Sequence, residues 1–362
     1  MMQISPEIQL FIREHSSDDV RVLALQAKKY PDIDMPTVIT QIAGRKVAAE
    51  KIPSWWEIEK IWYPKHLSLE QCSSEITARY KARLLQGDSL TDLTGGFGID
   101  CSFLATGFKS ATYVERQEEL CEIAAHNFPV LNLNHINIKN EDGVTYLQAM
   151  SPVDCLFLDP ARRNEHGGKT VAISDCEPNV AELEELLLQK ANRVMIKLSP
   201  MLDLSLALKE LKQTQEVHIL SVNNECKELL ILLGQTSPAE ISIHCVNLFT
   251  KGTQKEQHFV FTREQEQCSE CTYTDSLETY LYEPNASLLK AGAFRSIAAA
   301  YPVRKLHPNS HLYTSDTFIE NFPGRIFRIV NQCSFNKKEV KENLADLKKA
   351  NVTVRNFPAT AV

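Results

Sequence analysis

The residues best placed to carry out chemistry are three glycines, Gly95, Gly96 and Gly98, which follow a short apolar segment ending in Asp92. A helix is predicted to begin near Asp100, so the order is strand, glycine-rich turn, helix. Glycine lets the backbone turn sharply and approach a ligand, and a helix N-terminus leaves unpaired N–H groups facing it. This order predicts a nucleotide-binding crevice at the turn.

Acidic residues follow the next strands of the pattern. Residues 111–114 form a predicted strand that ends in Glu115, at the separation at which an acid reaches ribose hydroxyls, and residues 136–140 lead into Asp142. A single glycine-rich turn is weak evidence, and each acid could instead cap a helix or lie in a loop. Acids at successive strand ends, in this order, favour a ligand pocket.

A buried strand is predicted over residues 153–158, and it stops at Asp159. The four strand ends read Asp-Leu-Thr-Gly-Gly-Phe-Gly (92–98), Val-Glu-Arg (114–116), Asn-Glu-Asp-Gly (140–143) and Leu-Asp-Pro-Ala-Arg (158–162). Together they resemble the class I S-adenosylmethionine-dependent methyltransferases. The amino-acid sequence of these motifs is similar to that of a bacterial family of such enzymes with ferredoxin-like and THUMP-like C-terminal modules. The resemblance is most specific over residues 67–235.

The resemblance implies S-adenosyl-L-methionine as the cofactor. Glu115 would bind the ribose, Asp142 and Gly143 the adenine edge, and Asp92 would orient the turn or face the methionine amino group. A polar face just before the turn would lie near the methionine end, although a solvent-facing surface is an equally open interpretation for it. The full set of implied cofactor residues is Gln71, Ser73, Ser74, Asp92, Thr94, Gly95, Gly96, Gly98, Glu115, Asp142, Gly143 and Asp159.

The resemblance also assigns the catalytic residues Asp159, Pro160 and Arg162. In related enzymes the carboxylate accepts a hydrogen bond from an exocyclic base amine, and an aromatic ring stacks on the base. Arg162 replaces that ring here, and a guanidinium can stack on a base or bind phosphate. The next strand ends in Lys197 and Ser199 without a cysteine, which removes a uracil C5 mechanism. Either residue could line the acceptor pocket or simply finish the strand.

The alternation of strands and helices from residue 89 to residue 234 predicts an α/β fold with a mainly parallel sheet. Strands 217–222 and 228–233 are too close for a crossover helix, so they must pair antiparallel. This agrees with the Rossmann-like seven-stranded sheet that the resemblance implies. One helix is predicted over residues 67–86, with Ser68 as its cap.

Five regions are predicted along the chain. They are an N-terminal helical domain (1–66), the methyltransferase domain (67–235), a β-rich connection that could extend the sheet (236–280), a ferredoxin-like module (281–320) and a THUMP-like module (321–362). The last two form a small α+β region, with a helix over 337–350 and strands over 324–330 and 352–357. The THUMP-like module is expected to be incomplete, because family members usually continue past this point.

Charge divides the chain unevenly. Residues 281–362 contain 12 Lys or Arg and 6 Asp or Glu, a net charge of +6, whereas the whole chain of 362 residues carries −7. A basic tail suits contact with RNA phosphates, and a solvated basic face is the open alternative. Scattered cysteines and the absence of an apolar span predict a cytoplasmic protein with no membrane partner. Cys268 and Cys271 are one pair without a second, so no metal is predicted.

The sequence therefore predicts a methyltransferase that acts on rRNA or tRNA, at an exocyclic amine such as guanine N2. A methyltransferase of a protein or small molecule is one alternative, and an RNA-binding protein with a degenerate cofactor pocket is another. The polar loop 164–176 could act as a lid or be an ordinary loop. The sequence does not indicate the oligomeric state.

Overall fold

The structure is a computed structural model that describes residues 4–162, 172–236, 238–345, 347 and 349–353. It divides into two compact units, Met1–Gln215 with Leu229–Pro238, and Glu216–Glu228 with Ala239–Val362. No helix in the described residues combines the length and the apolar character that a membrane crossing requires. The loop residues 163–171, and with them Glu165, His166, Gly167, Gly168 and Lys169, lie outside the described residues.

The N-terminal part of the first unit is helical. Ser5 begins the first helix by accepting a hydrogen bond from the amide of Ile8, and Pro6 occupies the first turn, where its missing N–H costs nothing. Trp55, Tyr63 and Leu69 share a buried cluster with Phe97 and Ile99 beside the glycine-rich turn. The helices are α1 (Pro6–Glu14), α2 (Val20–Leu25), α3 (Met35–Lys51), α4 (Pro53–Trp56), α5 (His66–Gln71) and α6 (Glu75–Ala82).

The single helix predicted over residues 67–86 is wrong. The chain breaks between α5 and α6, and Leu84 to Gln86 lie outside both helices. Cys72 ends α5 in extended backbone, and Ser74 stands in extended backbone ahead of α6. The predicted cap, Ser68, is inside α5. Leu67 is mostly exposed.

The rest of the first unit alternates strands and helices. The strands are β1 (Ser89–Asp92), β2 (Ser110–Glu115), β3 (Ile136–Asn140), β4 (Val153–Leu158), β5 (Ala161–Arg162), β6 (Cys176–Glu177), β7 (Ala191–Leu198), β8 (Thr214–Val222) and β9 (Glu225–Gly234). The helices are α7 (Ile99–Ala105), α8 (Glu118–Val130), α9 (Gly143–Ala149), α10 (Val180–Lys190) and α11 (Leu204–Glu210). Strands β8 and β9 are divided between the two units.

The main sheet has the strand order β11-β10-β8-β9-β7-β4-β1-β2-β3, where β10 is Ser242–Leu248 and β11 is Glu256–Thr262. Strands β1, β2, β3, β4 and β7 pair in parallel, and β9 pairs antiparallel with β7. Asn223 and Asn224, both with positive φ, make the tight turn between β8 and β9. The α/β fold with its seven predicted strands is confirmed, and β10 and β11 extend the sheet beyond them.

The second unit also contains a four-stranded antiparallel sheet in the order β13-β14-β12-β15. Its strands are β12 (Tyr280–Pro284), β13 (Arg304–Lys305), β14 (Tyr313–Ser315) and β15 (Gly324–Arg328), and the helices of this unit are α12 (Arg263–Cys268), α13 (Ala286–Ala291), α14 (Arg295–Ala300) and α15 (Lys337–Asn343). Helix α15 ends earlier than predicted, and residues 351–353 are not a strand. Residues 354–362 lie outside the described residues.

Candidate active site

The turn between β1 and α7 needs glycine at three positions. Gly96 and Gly98 have φ of +54° and +85°, a left-handed conformation that residues with a Cβ rarely adopt. At Gly95 a Cβ would lie 2.2 Å from the ring of Tyr113, so the turn can lie against that ring only without a side chain. The amide of Gly98 donates to the carbonyl of Gly95 and closes the turn. Gly95 and Gly98 are buried and Gly96 is partly exposed, so the turn packs closely at positions where a side chain would not fit.

Glu115, at the end of β2, is hydrogen-bonded to this turn. Its Oε2 accepts from the amide of Gly96 at 2.8 Å, and its Oε1 accepts from the amide of Gln117 at 2.9 Å. Glu115 therefore lies against the glycine-rich turn. The ribose contact of Glu115 stays a prediction.

Asp92 is a buried carboxylate at the end of β1, with 1% of its surface exposed. Its Oδ1 accepts from the amide of Thr94 at 3.0 Å, and its Oδ2 has no hydrogen-bond partner among the described residues. Burial raises the pKa of Asp92 to about 8, against the lowering effect of the Thr94 amide. A buried carboxylate oxygen without a donor fits a cationic ligand group.

Asp142 and Gly143 begin α9 at the far end of the site. Asp142 caps the helix, because its Oδ1 accepts from the amides of Val144 and Thr145 at 3.0 Å each. At Gly143 a Cβ would lie 2.2 Å from the carbonyl oxygen of Leu93, so only glycine permits this approach to the chain that leads into the turn. Asp142 therefore acts as a helix cap, and its predicted contact with adenine stays a prediction.

Asp159 is joined to the glycine-rich turn through Thr94. Its backbone amide donates to Thr94 Oγ1 at 2.6 Å, and Lys197 Nζ lies 2.5 Å from its Oδ2. Pro160 is buried beside it, and β5 begins at the next residue. Nothing is described of the Arg162 side chain. Asp159 and Lys197 meet because β4 and β7 are parallel neighbours and both end at the same edge of the sheet.

A buried group of charges adjoins Asp159, and the sequence analysis did not predict it. Lys81 of α6 has no exposed side-chain surface and lies 2.9 Å from Asp100 Oδ1, and Lys197 lies 3.3 Å from Asp100 Oδ2. Ser73 Oγ donates to Asp100 Oδ2 at 2.7 Å and accepts from both ammonium groups. Burial raises the pKa of Asp100, but the two ammonium groups outweigh it and hold the pKa well below its usual range. Asp100 is therefore ionised.

The three predicted residues before the turn have different positions. Ser73 is buried in the charged group, so the interpretation of it as part of a solvent-facing surface is wrong. Ser74 is half-buried and contacts Thr77, with 3.2 Å between the two hydroxyl oxygens. Gln71 is exposed at the end of α5. Thr77 and Lys81, four residues apart on one face of α6, are buried as well, so this side of the helix does not face solvent.

Comparison with solved structures gives an extensive match to a "putative methyltransferase from Porphyromonas gingivalis W83". It is 35% identical, covers 98% of this chain and 88% of that chain, and superposes with a TM-score of 0.86. The chain belongs to this family, and with it to the class I S-adenosylmethionine-dependent methyltransferases. Family descriptions of a ferredoxin-like domain and of a THUMP-like domain match residues 280–323 and 324–362 of the methyltransferase.

A more distant match is an rRNA methylase from Streptococcus thermophilus. It is 15% identical, covers 44% of the methyltransferase and 93% of that chain, and has a TM-score of 0.32, which supports no inference about function. No match was found among curated proteins. The methyltransferase assignment therefore depends on the extensive match and on the four strand ends.

Proposed function

We propose that this chain transfers a methyl group from S-adenosyl-L-methionine to RNA, at an exocyclic base amine such as guanine N2. The observation that carries the proposal is the link through Thr94. Its amide donates to Asp92 and its hydroxyl accepts from the amide of Asp159. Thr94 thus fixes the position of Asp92, the proposed cofactor-binding acid, relative to Asp159, the proposed catalytic acid. Direct transfer depends mainly on such positioning.

The pocket residues fit this cofactor. When bound, S-adenosylmethionine supplies an electrophilic methyl group on a sulfonium. The unpaired Oδ2 of Asp92 would accept from the methionine ammonium, and the backbone of Gly95, Gly96 and Gly98 permits close approach. We assign Glu115 to the ribose hydroxyls and Asp142 with Gly143 to the adenine. Ser73 would act indirectly, by holding the ammonium groups of Lys81 and Lys197 in place.

Asp159 is the residue that we assign to the acceptor amine. Lys197 contacts its Oδ2, which leaves Oδ1 to accept the amine hydrogen and direct the nitrogen lone pair towards the methyl group. Lys197 is therefore a positioning residue that fixes the carboxylate. The strand end at Lys197 to Ser199 has no cysteine, so a covalent attack on a pyrimidine ring has no nucleophile there.

RNA is favoured as the acceptor by the C-terminal region. The match to a THUMP-like domain covers residues 324–362, and the net charge over residues 281–362 is +6. Some of the cations have internal partners: Arg304 pairs with Glu278, and Arg325 with Glu283. Helix α15 and its start present exposed cations to solvent at Lys337, Lys338 and Lys341. Phosphate contact is the sequence-independent part of RNA binding.

The test is transfer of a labelled methyl group into bulk cellular RNA. Asp159→Ala removes both oxygens that could accept from the amine, and we expect incorporation to fall about a hundredfold or more. Glu185→Ala, an exposed substitution of the same type on α10, is the matched control and should keep full activity. Equal incorporation by wild type and Asp159→Ala would remove Asp159 from the mechanism.

The two alternatives give distinct results in the same assay. Label in protein or in a small molecule, with none in RNA, would favour the other acceptor classes. Binding of RNA without cofactor uptake or transfer would favour an RNA-binding protein with a degenerate pocket. Mapping the methylated nucleotide then decides whether guanine N2 is the acceptor atom.

A further inference from the structure

A row of imidazole and carboxylate side chains lies on one face of β8, β10 and β11, and it includes none of the residues assigned to methyl transfer. His218 and His244 are register partners on the parallel strands β8 and β10. Glu216 precedes His218 by two residues, so its side chain is on the same face. His258 on β11 reaches the same face from the antiparallel side.

The donor atoms of these residues converge. One donor atom each from Glu216, His218 and His244 lies within 4.8 Å of the other two. His218 Nε2 is 3.2 Å from Glu216 Oε2, and the two imidazole rings stack with their centroids 4.3 Å apart. Ligands of one tetrahedral zinc ion lie roughly 3.3 Å apart, given Zn–N bonds of about 2.0–2.1 Å. The three donor atoms would therefore need to approach one another by at most about 1.5 Å to reach that spacing.

The imidazole of His244 is held on both sides. Its Nδ1 is 3.1 Å from His258 Nε2, and its Nε2 is 3.1 Å from Ser242 Oγ. Imidazole binds a metal through a ring nitrogen that carries no proton. A partner that fixes the second nitrogen is usual for metal-bound histidine, so His258 would hold Nδ1 while Nε2 exchanged its contact with Ser242 for the ion.

We propose that Glu216, His218 and His244 bind one divalent transition-metal ion of the zinc class, with His258 orienting His244. Two imidazoles and one carboxylate are a known zinc donor set, and they leave a fourth position for water. The ligands come from β8 and β10, so the ion would cross-link these two strands. Strand β8 is one of the seven predicted strands, and β10 is the first strand beyond them. No spacing motif marks the site in the sequence, because its members meet only through strand register.

The test is calorimetric titration of zinc chloride into the full chain after treatment with a chelator. Thiols that solvent reaches also bind zinc, so the background carries substitutions at the exposed Cys268 and Cys333 and at the half-buried Cys271, namely Cys268→Ser, Cys271→Ser and Cys333→Ser. We expect one ion per chain in this background. His244→Gln and Glu216→Gln should each weaken binding at least tenfold, whereas His135→Gln, which removes a histidine elsewhere, should leave it unchanged.

Cobalt absorption spectra and thermal unfolding give further readouts. Bound Co²⁺ should show ligand-field bands without thiolate charge transfer, and saturating zinc should raise the Tm of the background chain but not of Glu216→Gln. Failure of the background chain to bind an ion, or undiminished binding in Glu216→Gln, would overturn the proposal. Should His244→Gln fail to fold, Glu216→Gln decides alone, since it keeps the volume and the hydrogen-bonding capacity of the side chain.

Discussion

At the residue scale, Asp92 links cofactor binding to pH. Its pKa is raised to about 8, so most of the unliganded protein carries a neutral Asp92 at pH 6. A bound ammonium needs the ionised form, so binding must release this proton. We expect the affinity for S-adenosylmethionine to rise by up to about tenfold per pH unit between pH 6 and pH 8, and then to level off. Calorimetry in buffers of different ionisation enthalpy measures both the affinity and the number of protons released on binding.

The matched variants are Asp92→Asn and Asp203→Asn. Asp92→Asn should bind the cofactor about ten- to a hundredfold more weakly at pH 8, because a hydrogen bond to a charged group is lost, and its affinity should not vary with pH in this range. Asp203 only caps α11 through the amide of Leu206, so Asp203→Asn should behave like wild type. An unchanged pH dependence in Asp92→Asn would contradict this assignment.

The buried pair of Lys81 and Asp100 gives a second prediction at this scale. Lys81→Met removes one ammonium and leaves the Asp100 charge inadequately compensated, which we expect to lower the free energy of unfolding by about 3–5 kcal/mol. Asp100→Asn in the same chain should recover part of the loss. Urea denaturation measures both.

The control for this pair is on the surface. Lys109 and Asp88 form an exposed ion pair at 2.9 Å, and solvent screening makes such pairs weak. Lys109→Met should therefore cause little measurable change. Similar effects of Lys81→Met and Lys109→Met would show that burial of the first pair has no energetic consequence.

At the element scale, the glycine-rich turn depends on space as well as on backbone conformation. At Gly95 a Cβ would meet the Tyr113 ring on β2, whereas at Gly107, which follows α7, the nearest atom would be 3.7 Å away. Gly95→Ala should destabilise the chain by about 1–3 kcal/mol, as in other overpacked sites, and weaken cofactor binding. Gly107→Ala should do neither. Thermal unfolding and cofactor titration of both variants check this, and equal behaviour would contradict it.

The strands and helices of the α/β region were predictable because strands such as β4 and β9 are apolar, and because the glycines after β1 and Asp142 after β3 mark where a strand gives way to a helix. The break between α5 and α6 was not, since Leu69, Cys72, Ile76 and Tyr80 keep a helical spacing across it. The buried charges were missed for a related reason. A lysine on a helix is usually solvated, and only the packing of α6 beside α7 brings Lys81 to Asp100.

At the scale of the whole molecule, charge asymmetry predicts how RNA binding responds to salt. Contacts from Lys337, Lys338 and Lys341 would each release counterions, so replacing all three with Gln should lower the slope of log affinity against log salt by about 2. Cofactor affinity should not change, because these side chains are remote in sequence from every assigned cofactor residue. Filter binding at several salt concentrations provides the slopes. An unaltered slope would exclude α15 from the RNA contact.

The family and the sheet could be predicted from the sequence. The carboxyl ends of parallel strands meet at one edge of the sheet, so the motifs at four strand ends are brought together independently of how the side chains pack. The domain boundaries and the residue roles stay predictions. The histidine row on β8, β10 and β11 could not be predicted, because strand register joins residues that no sequence spacing relates. Register is a property of the assembled sheet.

Binding of S-adenosyl-L-methionine is the most direct test of the central claim, that the turn at Gly95 to Gly98 and the unpaired carboxylate of Asp92 form its pocket. Calorimetric titration of the cofactor and of S-adenosylhomocysteine into the full chain at pH 8 measures it. We expect one molecule bound per folded chain, with affinity at least tenfold weaker in Gly95→Ala and in Asp92→Asn. A folded wild-type chain that binds neither compound would contradict the account.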